Sequence, residues 1–442
     1  CSGNRLRKEA GYVRFSGKNI FELINLPLEE LLIFFKNIKS KNRLIEEIIE
    51  RLDCLNDLGL GYLSLNRKSS TLSGGESQRI NLATCVGSNL TGSLYILDEP
   101  SIGLHPQDTL SLIKILLKLK NLGNTVIIVE HDEDIIRSAD YLIDIGPNAG
   151  SNGGNIVASG SFNDFINQNS LTANYINGNL KIELPKRTRK VNKKITIRGA
   201  RENNLKNINL DIPLNCLVSV TGVSGSGKST LVNKIIYPAV LNNLNDFSVK
   251  PGEFDTIGGD IDDIKFVEYV SQNAIGKSSR SNPITYIKAY DEIRKVFSEN
   301  RESKIRGYKP KHFSFNVDGG RCEKCKGEGV IVIEMQFMAD VVLKCDQCEG
   351  KRFKKEILQV KFDNKSIDEI LEMTLDESLE FFKKNNEHKL FNKLMPLKKV
   401  GLGYITLGQS SSNISGGEAQ RIKLAKELSK RSTGRTMYIL DE

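Results

Sequence analysis

A glycine-rich segment, residues 222–230, has the composition of a loop that wraps closely around an anion. Its sequence, GVSGSGKST, fits the spacing G-x-x-x-x-G-K-[ST] and follows an apolar run at 217–221. In such loops backbone N–H groups surround phosphate oxygens, the lysine reaches the outer phosphates and the hydroxyl ligates Mg²⁺. The segment therefore predicts a site for ATP and Mg²⁺. Its predicted binding residues are Gly222, Ser224, Gly225, Ser226, Gly227, Lys228, Ser229 and Thr230.

A second phosphate-binding pattern occurs twice, as LSGGE at 72–76 and ISGGE at 414–418. Each copy opens a helical pattern, so a serine hydroxyl and glycine amides gather at the positive end of a helix, where a γ-phosphate is stabilised. Two copies in register are more specific than one, because Ser-Gly-Gly alone is also an ordinary helix cap. The predicted residues are Ser73, Gly74, Gly75, Glu76, Ser415, Gly416 and Gly417.

Two apolar runs end in Asp-Glu, at 94–99 and 437–442. Carboxylates at the carboxyl end of a buried strand lie where α/β sheets bind ligands. Asp98 and Asp441 are predicted to hold Mg²⁺ through water, and Glu99 and Glu442 to polarise the attacking water. His131 follows the apolar run 126–129 and is predicted to contact a γ-phosphate.

Four cysteines form two C-x-x-C pairs, Cys322 with Cys325 and Cys345 with Cys348, nineteen residues apart. Both pairs stand in glycine-containing knuckles, CEKCKGEG and CDQCEGKR, which suit a closed tetrahedral Cys₄ zinc site. The predicted module spans about 319–354 and is structural, because no coordination position stays open for catalysis.

The chain repeats itself. Residues 1–23 align with 348–370, and the LSGGE and ISGGE regions align with a shift of 342. Short apolar runs at 94–97, 126–129 and 217–221 predict parallel strands buried on both faces, and 79–86 and 110–122 have helical spacing. Strands alternating with helices predict an α/β fold with a doubly wound sheet.

The repeat predicts two halves. The first, 1–177, lacks its beginning; a basic linker, 178–194, contains KRTRKVNKK; the second half is 195–442. Since the sequence starts at Cys1 without Met and stops after an apolar run, we expect a fragment. Cys1 aligns with Cys348 and is expected to be the last ligand of a second, truncated zinc module.

Composition limits the class of protein. The 442 residues contain 39% hydrophobic and 26% charged residues, which is typical of a globular protein. No apolar run approaches the roughly 18–20 residues of a membrane span. Sparse cysteines and the absence of a signal peptide predict a reducing compartment, the cytoplasm. The net charge of +9 favours polyanionic partners without proving one.

Together these motifs resemble the ABC ATPase superfamily, whose sites form between the glycine-rich loop of one half and the Ser-Gly-Gly signature of the other. The resemblance implies that the loop 222–230 faces 73–76, with Gln272 as the Q-loop residue. It assigns Asp98, Glu99, His131 and 415–418 to the other site.

The zinc module inserted between Lys228 and Ser415 narrows the resemblance to the UvrA family. The most specific strings are ARENNLKNINLDIPL at 200–214, RSNPITY at 280–286, FSFNVDGGRCEKCKGEG at 313–329 and GLGYITLGQSSSNISGGEAQRIKLA at 401–425. The resemblance implies two tandem ABC-type halves with inserted helical signature domains. It also implies ATP-dependent recognition of damaged duplex DNA in nucleotide excision repair, as part of the SOS response.

The partners implied by the resemblance are double-stranded damaged DNA, a second copy of the chain, and a UvrB subunit that is loaded with ATP hydrolysis. Nuclease activity is expected in partner subunits, and the domain that docks UvrB is expected ahead of Cys1. Phosphate contacts are predicted from basic side chains near the module: Lys277, Arg280, Lys304, Arg306, Lys309 and Lys311.

Two alternatives remain open from the sequence. The ATPase subunit of a membrane transporter shares the nucleotide motifs but gives no reason for a Cys₄ module. A zinc-centred chaperone module of the DnaJ kind shares C-x-x-C-x-G-x-G but needs two adjacent centres and no phosphate loop.

Overall fold

The computed structural model describes residues 5–38, 42–72, 74–86, 91–185, 189–271, 275–276, 280–333, 335, 340–430 and 434–441. These residues group into two compact units. Unit 1 takes its residues from Cys1–Pro147, Asn155–Pro238 and Lys250–Gly259, and unit 2 from Asn148–Gly154, Ala239–Val249 and Asp260–Glu442. Within the described residues, no helix is long and apolar enough to cross a bilayer.

Unit 1 packs helices on small sheets. Its α-helices are α1 (Ile20–Asn25), α2 (Leu28–Lys36), α3 (Arg43–Asp57), α4 (Gly74–Val86), α5 (Pro106–Asn121), α6 (Glu133–Ser138), α7 (Phe162–Ile166) and α8 (Leu171–Ile176). Its strands are β1 (Arg14–Phe15), β2 (Lys18–Asn19), β3 (Leu94–Asp98), β4 (Thr125–Val129), β5 (Leu142–Gly146), β6 (Asn155–Gly160), β7 (Lys194–Ala200), β8 (Ile208–Pro213) and β9 (Thr256–Gly259). A π-helical stretch, Thr230–Ile236, leads into α9 (Tyr237–Asn243), which continues into unit 2.

Unit 2 is mainly helical. Its α-helices are α10 (Pro283–Tyr286), α11 (Tyr290–Glu299), α12 (Arg301–Ile305), α13 (Lys355–Leu358), α14 (Ile367–Glu372), α15 (Leu375–Lys384), α16 (His388–Lys399) and α17 (Gly416–Leu428). Its strands are β10 (Phe266–Val270), β11 (Val330–Ile333), β12 (Val341–Lys344) and β13 (Thr436–Leu440).

Amphipathic helices build both cores. In unit 1, α5 begins with Pro106 after a His105 cap and buries Leu112, Ile115, Leu116 and Leu119 on one face, as its i, i+3, i+4 spacing predicts. In unit 2, the largest cluster joins α11, α15, α16 and α17 around Ile293, Phe382, Leu394 and Ile422, which are 0–1% exposed.

The sequence repeat is also a repeat of contacts. Pro27 bridges Ser64 in unit 1, and Thr374 bridges Thr406 at the equivalent positions in unit 2. Capping boxes likewise recur, Asn19 with Glu22 before α1 and Ser366 with Glu369 before α14. Each half therefore forms the same local scaffold ahead of its Ser-Gly-Gly helix, α4 or α17.

Three predictions about strands need correction. The runs at 94–97 and 126–129 are strands and pair in parallel as β3 and β4, but only one face is covered, since Ile96 is 67% and Ile127 49% exposed. The run 217–221 forms no strand, and Leu217 is 96% exposed. Apolar, β-branched sequence favours a strand, but a strand also needs a hydrogen-bonded neighbour, and no described strand pairs with 217–221.

The predicted doubly wound sheet is represented among the described residues by two parallel pairs, β3 with β4 and β10 with β13. The other sheets are antiparallel: β1 with β2, β5 with β6, β11 with β12, and the three-stranded order β8-β7-β9. The predicted helices are confirmed: 79–86 lies within α4, and 110–122 lies within α5 except for its last residue.

Candidate nucleotide and zinc sites

The phosphate loop 222–230 lies in unit 1 and has the backbone that its glycines allow. Gly222, Gly225 and Gly227 have φ values of 148°, 73° and 103°, conformations that other residues rarely adopt. Lys228 Nζ donates to the carbonyl oxygens of Gly222 at 2.7 Å and Val223 at 3.0 Å. The lysine is therefore held over the loop, where it can exchange these carbonyls for phosphate oxygens.

Residues of the first half lie against this loop within unit 1. The amide of Ser224 donates to Asp108 Oδ2 at 3.3 Å, so a carboxylate lies where an anion would be bound. A Cβ built on Gly225 would lie 2.6 Å from Tyr62 Cζ. The Asn204 side-chain amide also donates to the Gly225 carbonyl at 2.8 Å. The loop thus combines a lysine with glycines that have no room for a side chain, which fits a triphosphate.

The two Ser-Gly-Gly segments open α17 in unit 2 and α4 in unit 1. In unit 2, the Ser415 hydroxyl accepts from the Glu418 amide at 3.3 Å, while the Ser415 amide donates to Glu418 Oε2 at 2.9 Å, a complete capping box at the start of α17. Gly416 and Gly417 form the first turn of α17, and Gly74, Gly75 and Glu76 that of α4. Ser73 lies outside the described residues.

The first Asp-Glu pair ends β3, as predicted. Glu99 has φ +45°, and its Oε1 lies 3.6 Å from His131 Nε2. Both line a cavity of about 310 Å³ with Ser101, Ile102, Glu130 and Asp132. The Glu130 carboxylate holds two of these segments together, because it accepts hydrogen bonds from the Ser101 amide at 2.7 Å and the His131 amide at 3.0 Å.

The second pair follows β13 in unit 2. The Asp441 amide donates to the Val270 carbonyl at 3.1 Å, and the Tyr269 hydroxyl donates to the Asp441 carboxylate. Glu442 and Gln272 lie outside the described residues. Asp441 is thus anchored on β10 by backbone and side chain together.

The four cysteines of the predicted module meet in one cluster. All four are buried, and their Sγ atoms lie within 4.8 Å of one another. The Cys322–Cys345 and Cys325–Cys348 Sγ distances are 4.0 and 3.6 Å. A tetrahedral zinc with bonds of about 2.3 Å places its sulfurs about 3.8 Å apart, so the four residues fit Zn²⁺.

The pKa values of the cysteine thiols in the cluster are shifted in different directions. Burial raises the pKa of Cys348 to about 12. For Cys345, burial acts in the same direction, but hydrogen bonds from the Cys348 and Gln347 amides outweigh it and lower the pKa to about 7. Amides aimed at sulfur favour thiolate, the form that binds metal.

Two of the predicted DNA-contacting side chains are engaged in ion pairs. Arg280 lies 3.3 Å from Glu328, and Arg306 lies 2.5 Å from Glu302. Lys304, Lys309 and Lys311 are exposed. Lys277 lies outside the described residues.

Sequence reasoning missed several residues at these sites. Tyr62, Asp108, Glu130 and Tyr269 each contact a predicted residue, and none belongs to a nucleotide motif. For Tyr62 a signal was present, because GLGY recurs at 59–62 and 401–404.

The chain is similar to known proteins in sequence and in structure. No family model matches it. UvrABC system protein A of Staphylococcus epidermidis is 52% identical over all of this chain and 48% of its own length, and that of Clostridium perfringens is 54% identical over the same shares. The crystal structure of UvrA2 from Deinococcus radiodurans matches 99% of this chain and 55% of its own, with a TM-score of 0.91 and 43% identity.

These matches confirm the resemblance inferred from the motifs, and the structural match confirms the fold class of ABC-type halves with an inserted cysteine module. The chain spans about half the length of the curated relatives it matches. On identity across its whole length and on fold, the chain belongs to the UvrA family.

Proposed function

We propose that this chain is the ATP-hydrolysing, DNA-binding part of a damage-recognition protein in nucleotide excision repair. The observation that carries the proposal is the approach of first-half residues to the second-half phosphate loop, Tyr62 to Gly225 and Asp108 to Ser224. A composite ATP site needs such an approach. The relatives' name, UvrABC system protein A, supports the biological setting.

ATP would bind along the loop residues Gly222, Ser224, Gly225, Ser226, Gly227, Lys228, Ser229 and Thr230. Lys228 leaves the carbonyls it holds and pairs with the outer phosphates, while Asp108 gives up the Ser224 amide. Mg²⁺ would supply charge neutralisation, with Ser229 as a proposed ligand at the loop. The family resemblance assigns Mg²⁺ binding through water to Asp441 as well, and contact with the attacking water to Glu442 and Gln272. Ser73, Gly74, Gly75 and Glu76 complete this site.

Two further sets of residues are proposed to bind ATP: Ser415, Gly416 and Gly417 at the start of α17, and Asp98, Glu99 and His131, which follow β3 and β4. The Glu99–His131 pair and its cavity leave room for a γ-phosphate and a water. The Cys322, Cys325, Cys345 and Cys348 cluster would hold Zn²⁺ as a structural brace.

We propose that distorted duplex DNA is held through phosphates and recognised by the lower cost of deforming it, so that base sequence matters little. Closing and opening of the ATP sites would couple nucleotide state to DNA release and to loading of a UvrB subunit. We also propose that the chain forms a homodimer in the cytoplasm. Its two ATPase halves would be 1–177 and 195–442, joined by the linker 178–194.

The test is ATP hydrolysis by the chain with and without duplex DNA, in the parent and in Lys228→Ala. We expect nucleotide binding and turnover in the parent and loss of both in the variant, with zinc content unchanged. Arg201→Ala is a suitable control, since Arg201 directly follows β7, is paired with Asp255 and is not among the loop residues. Turnover at this loop that survives Lys228→Ala would refute the assignment.

A further inference from the structure

Tyr62 lies between the phosphate loop and the first signature helix, both in unit 1. A Cβ built on Gly225 would come within 2.6–2.7 Å of three ring carbons, Cζ, Cε1 and Cε2. Real Cβ atoms essentially never come this close, so the ring is in van der Waals contact with the loop backbone itself. Movement of that backbone therefore displaces the ring.

The other end of Tyr62 holds the signature glutamate. Its hydroxyl donates to Glu76 Oε1 at 2.5 Å, and Arg67 lies 3.4 Å from Oε2. Glu76 is only 6% exposed, and a buried carboxylate needs such hydrogen-bonding and charged partners. Burial, and then the hydrogen bond to Glu76, raise the pKa of Tyr62, which keeps it a neutral donor.

The second half shows what such a glutamate does. Tyr404 and Glu418 occupy the positions of Tyr62 and Glu76, and the Tyr404 hydroxyl donates to Glu418 Oε1 at 2.6 Å. The remaining oxygen, Oε2, accepts from the Ser415 amide at 2.9 Å. The tyrosine thus fixes the glutamate that fixes the signature serine at the start of α17.

We propose that Tyr62 is a positioning residue that couples the phosphate loop to the first signature. The Tyr62 ring contacts the backbone at Gly225, and the Tyr62 hydroxyl donates a hydrogen bond to Glu76. The signature helix is therefore aligned only when the phosphate loop has its correct conformation. The inference rests on the proposed ATPase function and predicts an effect on turnover more than on nucleotide affinity.

Amide hydrogen exchange tests the coupling without nucleotide. Tyr62→Phe keeps the ring and removes the hydroxyl, so exchange should accelerate about fivefold in α4 and stay unchanged in 222–230, since one hydrogen bond is worth about 1 kcal/mol. Tyr62→Ala should accelerate exchange in both segments. Tyr290→Phe is the matched control, because its buried hydroxyl donates to the Phe313 carbonyl at 2.7 Å in unit 2.

Kinetics give the second readout. With ATP and Mg²⁺, Tyr62→Phe should lower kcat about tenfold and leave KM within about twofold, as expected when alignment in the transition state is lost. Tyr290→Phe should keep both constants. Equal kcat in parent and Tyr62→Phe, a change confined to KM, or unchanged exchange in α4 would each overturn the inference.

The two proposals fail in different ways. A parent chain that neither binds nor hydrolyses ATP overturns the proposed function and, with it, a role of Tyr62 in turnover. The exchange pattern still decides whether Tyr62 links the two segments, because it is measured without nucleotide.

Discussion

The Sγ atoms of Cys325 and Cys348 lie 3.6 Å apart although twenty-three positions separate them in the chain. The antiparallel pair β11–β12 between them returns the chain on itself, and the Cys345 amide donates to the Gly329 carbonyl at 3.0 Å. The backbone therefore brings the two knuckles together, and the cysteines are the buried residues at their centre.

Removing one ligand should empty this centre. Cys322→Ser is expected to reduce bound zinc from one ion per chain to none and to lower the melting temperature, because metal binding contributes directly to folding of such modules. Cys216→Ser, which changes a cysteine outside the cluster, should keep the zinc. Zinc is measured by elemental analysis of the purified proteins, and a full ion retained by Cys322→Ser would contradict four-ligand coordination.

Gly225 is expected to tolerate no side chain. Gly225→Ala should weaken ATP binding at least about tenfold, because the new Cβ must displace the Tyr62 ring or move the loop. Gly178→Ala provides a close control, since Gly178 has the same φ of +73° but nothing within 4 Å of a built Cβ. Gly178→Ala therefore introduces the same backbone strain without a steric clash, and this variant should bind ATP as the parent does.

The double variant Tyr62→Ala/Gly225→Ala separates the two causes. With the ring removed, part of the lost affinity should return, whereas independent effects would simply add. Affinity is measured by titration with a fluorescent ATP analogue, and additive losses would argue against direct contact.

Glu369 should make the free energy of unfolding depend on pH in the acid range. A hydrogen bond from Lys361, followed by bonds from Ser366, lowers its pKa from 4.5 to about 2. Because the folded pKa is the lower one, the stabilisation is complete above about pH 4.5 and is lost as the pH falls towards 2. The side chain is 45% exposed, so we expect only about 1 kcal/mol.

Urea unfolding of Glu369→Gln across pH 2–7 checks this. The variant should be less stable than the parent at pH 7, and the difference should shrink as the pH falls through the acid range. Glu299→Gln, which removes a carboxylate from an exposed pair with Lys295 at 3.8 Å, should change little. A difference that stays constant down to pH 2 would contradict the assignment.

The exposed lysines near the zinc module are expected to contact DNA phosphates. Replacing Lys304, Lys309 and Lys311 together by Ala should reduce the slope of log K against log salt by about 2–3, since each phosphate contact contributes about 0.9. Arg306→Ala should have a smaller effect, because Arg306 is already paired with Glu302. Binding is measured on one duplex at several salt concentrations, and an unchanged slope would remove these lysines from the interface.

Short-range chemistry was predictable from the sequence. The cysteine spacing specified the cluster, because ligand type and knuckle glycines act locally, and the repeated signature specified the capped start of α17. The amphipathic spacing of α5 likewise specified its buried face.

Long-range pairing was not predictable. Residues 217–221 have the composition of a buried strand, yet Leu217 is 96% exposed, since only a neighbouring strand satisfies the backbone of such a run. The contact of Tyr62 with Gly225 joins segments distant in sequence, and no local pattern encodes such an approach. Asp108 was missed for the same reason.

Fluorescence anisotropy measures whether the chain recognises distorted DNA in the presence of ATP. Labelled duplexes of identical sequence, one intact and one carrying a single bulky lesion, are titrated with the chain in the presence of ATP at two salt concentrations. We expect tighter binding to the lesion at both salts, because the two duplexes differ in the cost of deforming them and not in sequence. Equal affinities that fall together with salt, or no binding to either duplex, would show that the chain does not recognise the distortion.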